Sequence, residues 1–548
     1  MPITPRALWT AGRSADLLEC AIGDLLAQYA RSAAASQAAV QWEDGAELRH
    51  LTWSELHQAA ARGAQWLLTR ARPGERVAAW GPNSIGWVLL EYASALAGTV
   101  LTPLNPALVD AECEYLLNSA DVTLLFTVAD SAGKPLLERA AWLRAGLPTI
   151  RAVVELDTWA TEVITGGPAT AGDEPSVLPP VGPHEPFLVQ FTSGTTGRPK
   201  GAILSHFAAL NSARLSALAL EPTDAEVWCT ALPLHHVGGS VSAVLGALAV
   251  RGSYVVAPSA QPEALLRLLE RSRATHTGIV PTVLQRMLAH PEFARADLGT
   301  LRTMMGGGAS IPPALVRDLE TRLGATLLIG YGQSESVSIT QTSPRDTAED
   351  KAATIGRPLP HRDVCVRRLD AAVPTDPEGI AAHDEVGEVC TRSALTMIGY
   401  LGSPEGDAEV FDAEGWLHTG DLASMDSRGV LTFRGRVREV IIRGGENIYP
   451  REVEEALLSL PEIAEVAVVG FPDPMWGEQV AAFVRAVPGA TLTEEVLRAY
   501  ARRVLAPFKV PVLWRQTTNF PMTASQKIRK NVLRAELVAE LAGQKLAG

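Results

Sequence analysis

The chain has 548 residues, 47% of them apolar and 20% charged, which is too long for one hydrophobic core and predicts two or more globular domains. Its net charge of −13 argues against general affinity for nucleic acid or anionic membrane, so an anionic ligand must be held by local basic residues. The five cysteines (Cys20, Cys113, Cys229, Cys365 and Cys390) are scattered, and no pair stands at metal-ligand spacing. That usage predicts buried free thiols in a reducing cytoplasm. Arg6, Arg13 and Asp16 break any apolar run near the start, so no signal peptide is expected. The most apolar stretches, 87–104 and 241–250, fall short of the roughly 20 residues of a membrane span.

In chain order, helical spacing covers 17–30 and 54–68, the latter capped by Thr52 or Ser54, with strands at 38–42 and 51–53 around an Asp44-Gly45 turn. Strands at 76–80, 99–104 and 122–128 alternate with helices at 84–97 and 110–119. This alternation predicts an α/β fold of parallel sheets covered by helices. No Gly-x-Gly-x-x-Gly follows an early strand, which sets aside a dinucleotide-binding domain. Residues 166–187, rich in Gly, Pro, Asp and Glu, read as a surface connection.

The most informative stretch comes next. Thr192-Ser193-Gly194-Thr195-Thr196-Gly197 is followed by Arg198-Pro199-Lys200-Gly201, between predicted strands 186–191 and 201–204. Glycines let backbone N–H groups approach an anion, hydroxyls donate to phosphate oxygens, and Lys200 adds charge. The ligand this composition suits is a polyphosphate. The strand–loop–strand setting and Pro199 before the lysine distinguish it from a Walker A loop.

Several later segments are ambiguous alone. His235-His236-Val237-Gly238-Gly239 after Leu-Pro-Leu reads either as structural histidines at a strand end or as a ring beside a narrow space. Gly306-Gly307-Gly308-Ala309-Ser310 after strand 301–305 reads as a plain turn or as backbone lying flat against a planar ligand. Strand 327–331 ends in Gly332-Gln333-Ser334-Glu335, where the carboxylate is either solvated or a ligand for a hard cation. Asp421, in Trp416-Leu-His-Thr-Gly-Asp421, is an ordinary turn residue or an acceptor for both hydroxyls of a ribose. Arg434, Arg436, Arg438 and Arg443 cluster around the start of a compact α+β unit, 439–548, which carries Lys527 in Pro521-Met-Thr-Ala-Ser-Gln526-Lys527-Ile528.

Together, seven stretches in this order resemble the adenylate-forming superfamily, which includes acyl-CoA synthetases and AMP-dependent ligases. The resemblance covers nearly the whole chain. It implies a large N-terminal AMP-binding (adenylation) domain of parallel sheets with a small β-barrel-like subdomain, residues 1–437. A small mobile α+β lid, 438–548, follows, with Arg438 at the hinge. It implies that loop 192–201, with Thr195 in a catalytic role, orients the phosphates of ATP. Ser334 would touch the α-phosphate and Glu335 help hold Mg²⁺. The same match places Gly308, Ala309, Ser310, Tyr331, Gly332 and Gln333 around the nucleotide, Asp421 on its ribose, and Arg436 within reach of it. His236 acts at the carboxylate, beside Val237, Gly238, Gly306, Gly307 and Ile339 as the acid pocket. Gly445 borders the tunnel for the pantetheine of coenzyme A, and Lys527 is the adenylation lysine. The chain departs from the family at Gln526, where glycine is usual, and at Arg438, where aspartate or lysine is common.

The implied reaction is ATP-dependent activation of a carboxylic acid as acyl-AMP, with release of pyrophosphate, then transfer to the thiol of coenzyme A. No Asp or Glu in 232–241 or 304–310 is available for a substrate ammonium, which disfavours α-amino acids. A medium- or long-chain fatty acid is the expected substrate. An aryl or alicyclic acid is the alternative, as is a stand-alone adenylation enzyme that loads an acyl carrier protein. The small-molecule partners are the acid, ATP and coenzyme A. A homodimer is compatible with the resemblance, and a cytoplasmic location is expected.

Overall fold

The computed structural model describes residues 6–167, 177–192, 199–307, 313–369, 379–444, 446–522 and 528–547. The fold is α/β, with a large N-terminal domain and a smaller C-terminal domain.

Two mixed sheets form the large domain; the first is antiparallel at one margin and parallel elsewhere, and the second is parallel in the middle and antiparallel at both margins. The first runs Gly399–Tyr400, Gly201–Ser205, Pro186–Phe191, Val100–Leu104, Arg76–Trp80, Val122–Thr127 and Ala152–Glu155. The second is nine-stranded, with Val227–Thr230, His276–Gly278, Thr303–Gly307 and Thr326–Gln333 parallel near its centre. Strands covered on both faces need apolar side chains throughout, and all five residues of Val100–Leu104 are buried. Between the sheets lies helix Ile85–Ala97, with every residue from Gly86 to Ala97 buried. A helix apolar on all sides is stable only inside such a sandwich. Ser84 caps it, accepting from the Trp87 amide.

An antiparallel sheet, Leu8–Trp9, Asp363–Arg367, Gly387–Arg392, Leu417–Met425 and Leu431–Arg436, fills the place of the expected small barrel-like subdomain. The C-terminal domain has a separate sheet built on the hairpin Ile463–Asp473 and Gly477–Ala486. Helices Pro450–Leu458, Glu494–Val504 and Lys530–Ala547 accompany it. Its core, including Ile441, Val453, Leu457, Val468, Val480 and Trp514, is distinct from that of the large domain.

Some boundaries differ from the sequence reading for identifiable reasons. The first helix is Ile22–Ala30, not 17–30, because Leu18 exchanges two hydrogen bonds with the Asn211 side chain instead of entering the helix. Thr52 caps Trp53–Leu68 through a reciprocal box with Glu55. The turn after Leu234 continues into a π-helix, Gly238–Leu245, which helical spacing alone did not reveal.

Glu91 is fully buried in the helix between the sheets, and neither carboxylate oxygen has a hydrogen-bond partner among the described residues. Burial pushes its pKa well above the ordinary 4.5, so the folded chain holds it protonated. Its stability contribution is present below the unfolded value and is lost as pH rises towards the folded one. Glu91→Leu is therefore expected to stabilise the protein by about 1–3 kcal/mol at neutral pH. Denaturant midpoints measured against pH should show the gap between variant and wild type widening above about pH 4.5.

Candidate active site

The site lies where the ends of the two large sheets meet the small antiparallel sheet. Strands Pro186–Phe191 and Gly201–Ser205 pair in antiparallel register, Phe191 opposite Gly201. The neck of the loop between them is closed by the Thr192 amide, which donates to the Lys200 carbonyl at 2.9 Å, and by the Thr192 hydroxyl at 3.3 Å. A side chain at Gly201 would stand 2.8 Å from Val189, so glycine permits the close pairing. Ser193, Gly194, Thr195, Thr196 and Gly197 lie outside the described residues. Ser205 then caps helix His206–Leu218, accepting from the Ala208 amide at 3.0 Å.

Lys200 lies beside Tyr400, its Nζ 5.1 Å from the ring centroid, and pairs with Glu409 at 2.6 Å. Glu409 is largely exposed, so this pair contributes little and a polyphosphate can replace it. Tyr400 also donates from its hydroxyl to Glu335 Oε1 at 2.7 Å, while the Met397 amide donates to the Glu335 carbonyl. Burial and the Glu335 charge push the Tyr400 pKa up, so the phenol remains a donor. Residues 200, 335 and 400 are thus brought into one cluster. Mg²⁺ is commonly held by one or two carboxylates together with phosphate oxygens and water. A single fixed carboxylate next to Ser334 fits that demand.

The next group surrounds Asp421. Tyr331 donates to its Oδ2 at 2.9 Å, and Arg436 Nε lies 3.3 Å from its Oδ1. Asp421 and Arg436 are cross-strand partners in the small sheet. Burial, then the Asp421 charge, push the Tyr331 pKa well up. The turn that presents Asp421 is held independently: Thr419 donates to the Val389 carbonyl at 2.7 Å, and the Gly420 amide to Glu388 at 3.0 Å.

A third wall comes from 231–239. The Asn83 side chain donates to the carbonyls of Leu232 and Ala257 and accepts from the Leu234 amide. Gln190, buried, donates to the His235 carbonyl at 3.1 Å and so joins this wall to the loop strand. A Cβ at Gly239 would lie 2.2 Å from the Pro233 carbonyl oxygen, so the turn requires glycine. His236 is exposed, with Nδ1 accepting from the Gly238 amide at 3.1 Å, which fixes its ring. Burial, reinforced by His236, lowers the His235 pKa to about 4, so that ring is neutral. Val237 is buried. Gly306 and Gly307 end strand Thr303–Gly307, and a Cβ at Gly307 would stand 2.7 Å from the Gly330 carbonyl.

One expectation is corrected. Ile339 does not line the acid pocket: it is fully buried against Val364, Val366, Val389, Ala423 and Leu431 in the core of the small sheet. The pairing of Thr326–Gln333 with Ser336–Gln341 shifts register between Tyr331 and Gln333, and Ser338 has a left-handed backbone. Such an irregularity re-aims the side chains that follow. Gly308, Ala309, Ser310, Gly445 and Lys527 lie outside the described residues. Arg438 is exposed in the short 3₁₀ turn Val437–Glu439.

A family model described as AMP-binding enzyme matches residues 27–401, and one described as AMP-binding enzyme C-terminal domain matches 452–527. The chain belongs to the AMP-binding enzyme family. It is an AMP-forming acid–thiol ligase of the adenylate-forming superfamily, and its chemistry depends on ATP. Among relatives of this AMP-binding enzyme, the human mitochondrial medium-chain acyl-CoA ligase ACSF2 is 32% identical over 520 residues, covering 90% of this chain and 84% of that one. A methyl-dioxo-octahydro-indenyl-propanoyl:CoA ligase of Rhodococcus jostii (strain RHA1) is 32% identical over 509 residues, covering 89% and 94%. The ATP-bound structure of MatB from Rhodopseudomonas palustris matches with a TM-score of 0.82 at 28% identity, covering 94% of this chain and 98% of MatB. No helix among the described residues is long and apolar enough to cross a membrane.

Tyr400, Gln190 and Asn83 were not found by sequence reasoning. Tyr400 sits in a two-residue strand, too short to carry an alternation signal. Gln190 and Asn83 act through partners 45 and about 150 residues away, which no local pattern reports.

Proposed function

We propose that this AMP-binding enzyme activates a medium- or long-chain fatty acid as acyl-AMP and transfers it to the thiol of coenzyme A. The observation that carries the choice of acid is the character of the wall 231–239. It presents a fixed His236, a buried Val237 and small glycines, with no carboxylate for a substrate ammonium. The similarity to ACSF2, a ligase named for medium-chain acids, supports the same reading. A bulkier alicyclic acid is the second reading, supported by the similarity to the Rhodococcus ligase.

In the first half-reaction a carboxylate oxygen attacks the α-phosphorus of ATP. A P–O bond forms, the bridging bond to the β-phosphate breaks, and pyrophosphate leaves with the electron pair. Both reactants are anionic, so the barrier is mainly electrostatic and is lowered by oriented donors and cations. Lys200 with loop 192–201 would orient the β- and γ-phosphates, Ser334 the α-phosphate, and Asp421 the ribose, with Arg436 adding charge nearby. Mg²⁺ held at Glu335 supplies charge compensation on the phosphates when bound. Lys527 would bridge the carboxylate and the α-phosphate.

In the second half-reaction the thiol sulfur attacks the acyl carbonyl, a C–S bond forms, and AMP leaves as the C–O bond breaks. Water would hydrolyse the adenylate, so the site must stay closed between steps. Residues 438–548 would rotate about Arg438, withdrawing Lys527 and opening the passage beside Gly445.

The test is incubation with ATP, Mg²⁺ and a pooled panel of fatty, aryl and alicyclic acids, with and without coenzyme A, read by mass spectrometry. Fatty acyl thioesters formed only with coenzyme A are the expected result. Thioesters of the alicyclic or aryl acids alone would overturn the choice of acid. Adenylates in both tubes without thioesters would overturn the choice of acceptor in favour of a carrier protein.

A further inference from the structure

Sequence spacing gave the cysteines no metal-binding pattern, but the small sheet brings two of them together. Cys365 and Cys390 are directly opposite each other on antiparallel strands Asp363–Arg367 and Gly387–Arg392. Both are fully buried beneath Trp416. On the other side of Cys390, strand Leu417–Met425 places His418 as its cross-strand partner. His418 Nδ1 lies 3.5 Å from Cys390 Sγ and 2.8 Å from Glu388 Oε2. One donor atom each from Glu388, Cys390 and His418 falls within 4.8 Å of the others.

We propose that Glu388, Cys390 and His418 form a binding site for a thiophilic divalent cation of the zinc class. One thiolate, one imidazole and one carboxylate are donors that zinc takes, and three protein ligands leave its fourth tetrahedral position to water. Around such an ion, with bonds of about 2.3 Å to sulfur and about 2.0 Å to nitrogen, the S···N separation is about 3.5 Å. The separation here is 3.5 Å. The shorter imidazole–carboxylate contact would open by about 0.5 Å as the shared proton is replaced by the ion.

The surroundings are arranged as a metal site's outer layer. Metal-bound imidazoles nearly always present their second nitrogen to a carboxylate or carbonyl. His418 Nε2 faces Asp412 Oδ2 at 3.8 Å. Asp412 is itself fixed by the amides of Glu414 and Trp416, each at 2.9 Å, and by Arg367 at 3.4 Å. A simple Glu388–His418 ion pair has no need of a buried thiol against the same ring nitrogen. The site adjoins the nucleotide region, because Glu388 Oε1 accepts from the Gly420 amide at 3.0 Å. Occupancy would therefore stiffen the turn that presents Asp421.

The test uses the full chain freed of metal, with thiols counted after denaturation before any reductant is added, and Co²⁺ then added to the reduced, folded chain as the spectroscopic probe. The expected result is five free thiols, one tightly bound Co²⁺, a thiolate-to-cobalt charge-transfer band in the near ultraviolet and strong visible bands of tetrahedral Co²⁺. Zn²⁺ should abolish both. Cys390→Ser should lose the charge-transfer band while keeping its ATP-dependent activity, and Cys365→Ser should keep the band. Five free thiols without a thiolate band would overturn the proposal and leave the histidine and glutamate as an ion pair. Two thiols fewer than five would overturn it as well, by showing that the opposed cysteines are a disulfide. The wild-type spectrum decides the matter even if the variant fails to fold.

Discussion

Asp421→Ala is expected to lower kcat/KM for ATP by roughly two orders of magnitude, mostly through KM. Hydrogen bonds to a charged group are worth about 1.5–3 kcal/mol each, and about 3 kcal/mol in total corresponds to roughly a hundredfold. The carboxylate is already oriented by Tyr331 at 2.9 Å and Arg436 at 3.3 Å. A ribose therefore meets an acceptor that needs no reorganisation. The substitution also leaves the Tyr331 hydroxyl without this acceptor. The turn should survive, because Thr419 and Gly420 are bonded to Val389 and Glu388, and the Asp421 bond to the Thr419 hydroxyl comes from the backbone amide, which alanine keeps. The specific signature is nucleotide selectivity. Wild type should discriminate against 2′-deoxy-ATP, and the variant should treat the two nucleotides nearly alike. A variant that still discriminates, or that binds ATP normally, would remove Asp421 from the ribose role.

The parts of this site that were legible in the sequence are those whose chemistry is local. Phe191–Gly201 concentrates glycine, hydroxyls and a lysine between two apolar runs, and the structure returns the expected strand–loop–strand. Tyr331, Glu335 and Asp421 each close a short strand or turn with a polar group, a pattern that apolar periodicity does not explain away. The parts that were not legible depend on sheet order. Asn83 and Leu232 meet across the two large sheets, and Gln190 meets His235 across 45 residues. Tyr400 reaches Glu335 only because its two-residue strand adds to the margin of the first sheet, beside Gly201–Ser205. Ile339 was misplaced for the complementary reason. Assigning a strand residue to a face requires unbroken alternation, and the register shift after Tyr331 breaks it. The Cys365–Cys390 pair has the same origin: 25 residues separate the two in sequence, but strand register sets them opposite.

Lys527→Ala is expected to reduce acyl-AMP formation by roughly a hundredfold or more, the several kcal/mol typical of removing a group that stabilises transition-state charge. Lys527 lies outside the described residues, so its role is proposed from the motif frame, but its flanks are firmly placed. Met522 and Ile528 form an antiparallel bridge, and the Arg529 amide donates to the Pro521 carbonyl at 2.7 Å. Three residues beyond Lys527, Lys530 is paired with Glu454 at 2.7 Å and Glu439 at 3.2 Å. Burial opposes the charge on Lys530, but those two carboxylates hold its pKa above the ordinary value. Lys530 therefore stays charged and ties the final helix to the segment just after Arg438. Lys527 is proposed to act only before the small domain rotates, so the two half-reactions should separate. Supplied with synthetic acyl-AMP and coenzyme A, the variant should form thioester within a few-fold of wild type, although it cannot make the adenylate efficiently. Equal loss in both assays would mean that the substitution damages the domain as a whole. Equal retention would mean that another cation bridges the carboxylate and the α-phosphate. Because Gln526 stands where the family usually has glycine, the wild-type adenylation rate also reports whether that loop tolerates a side chain beside its lysine.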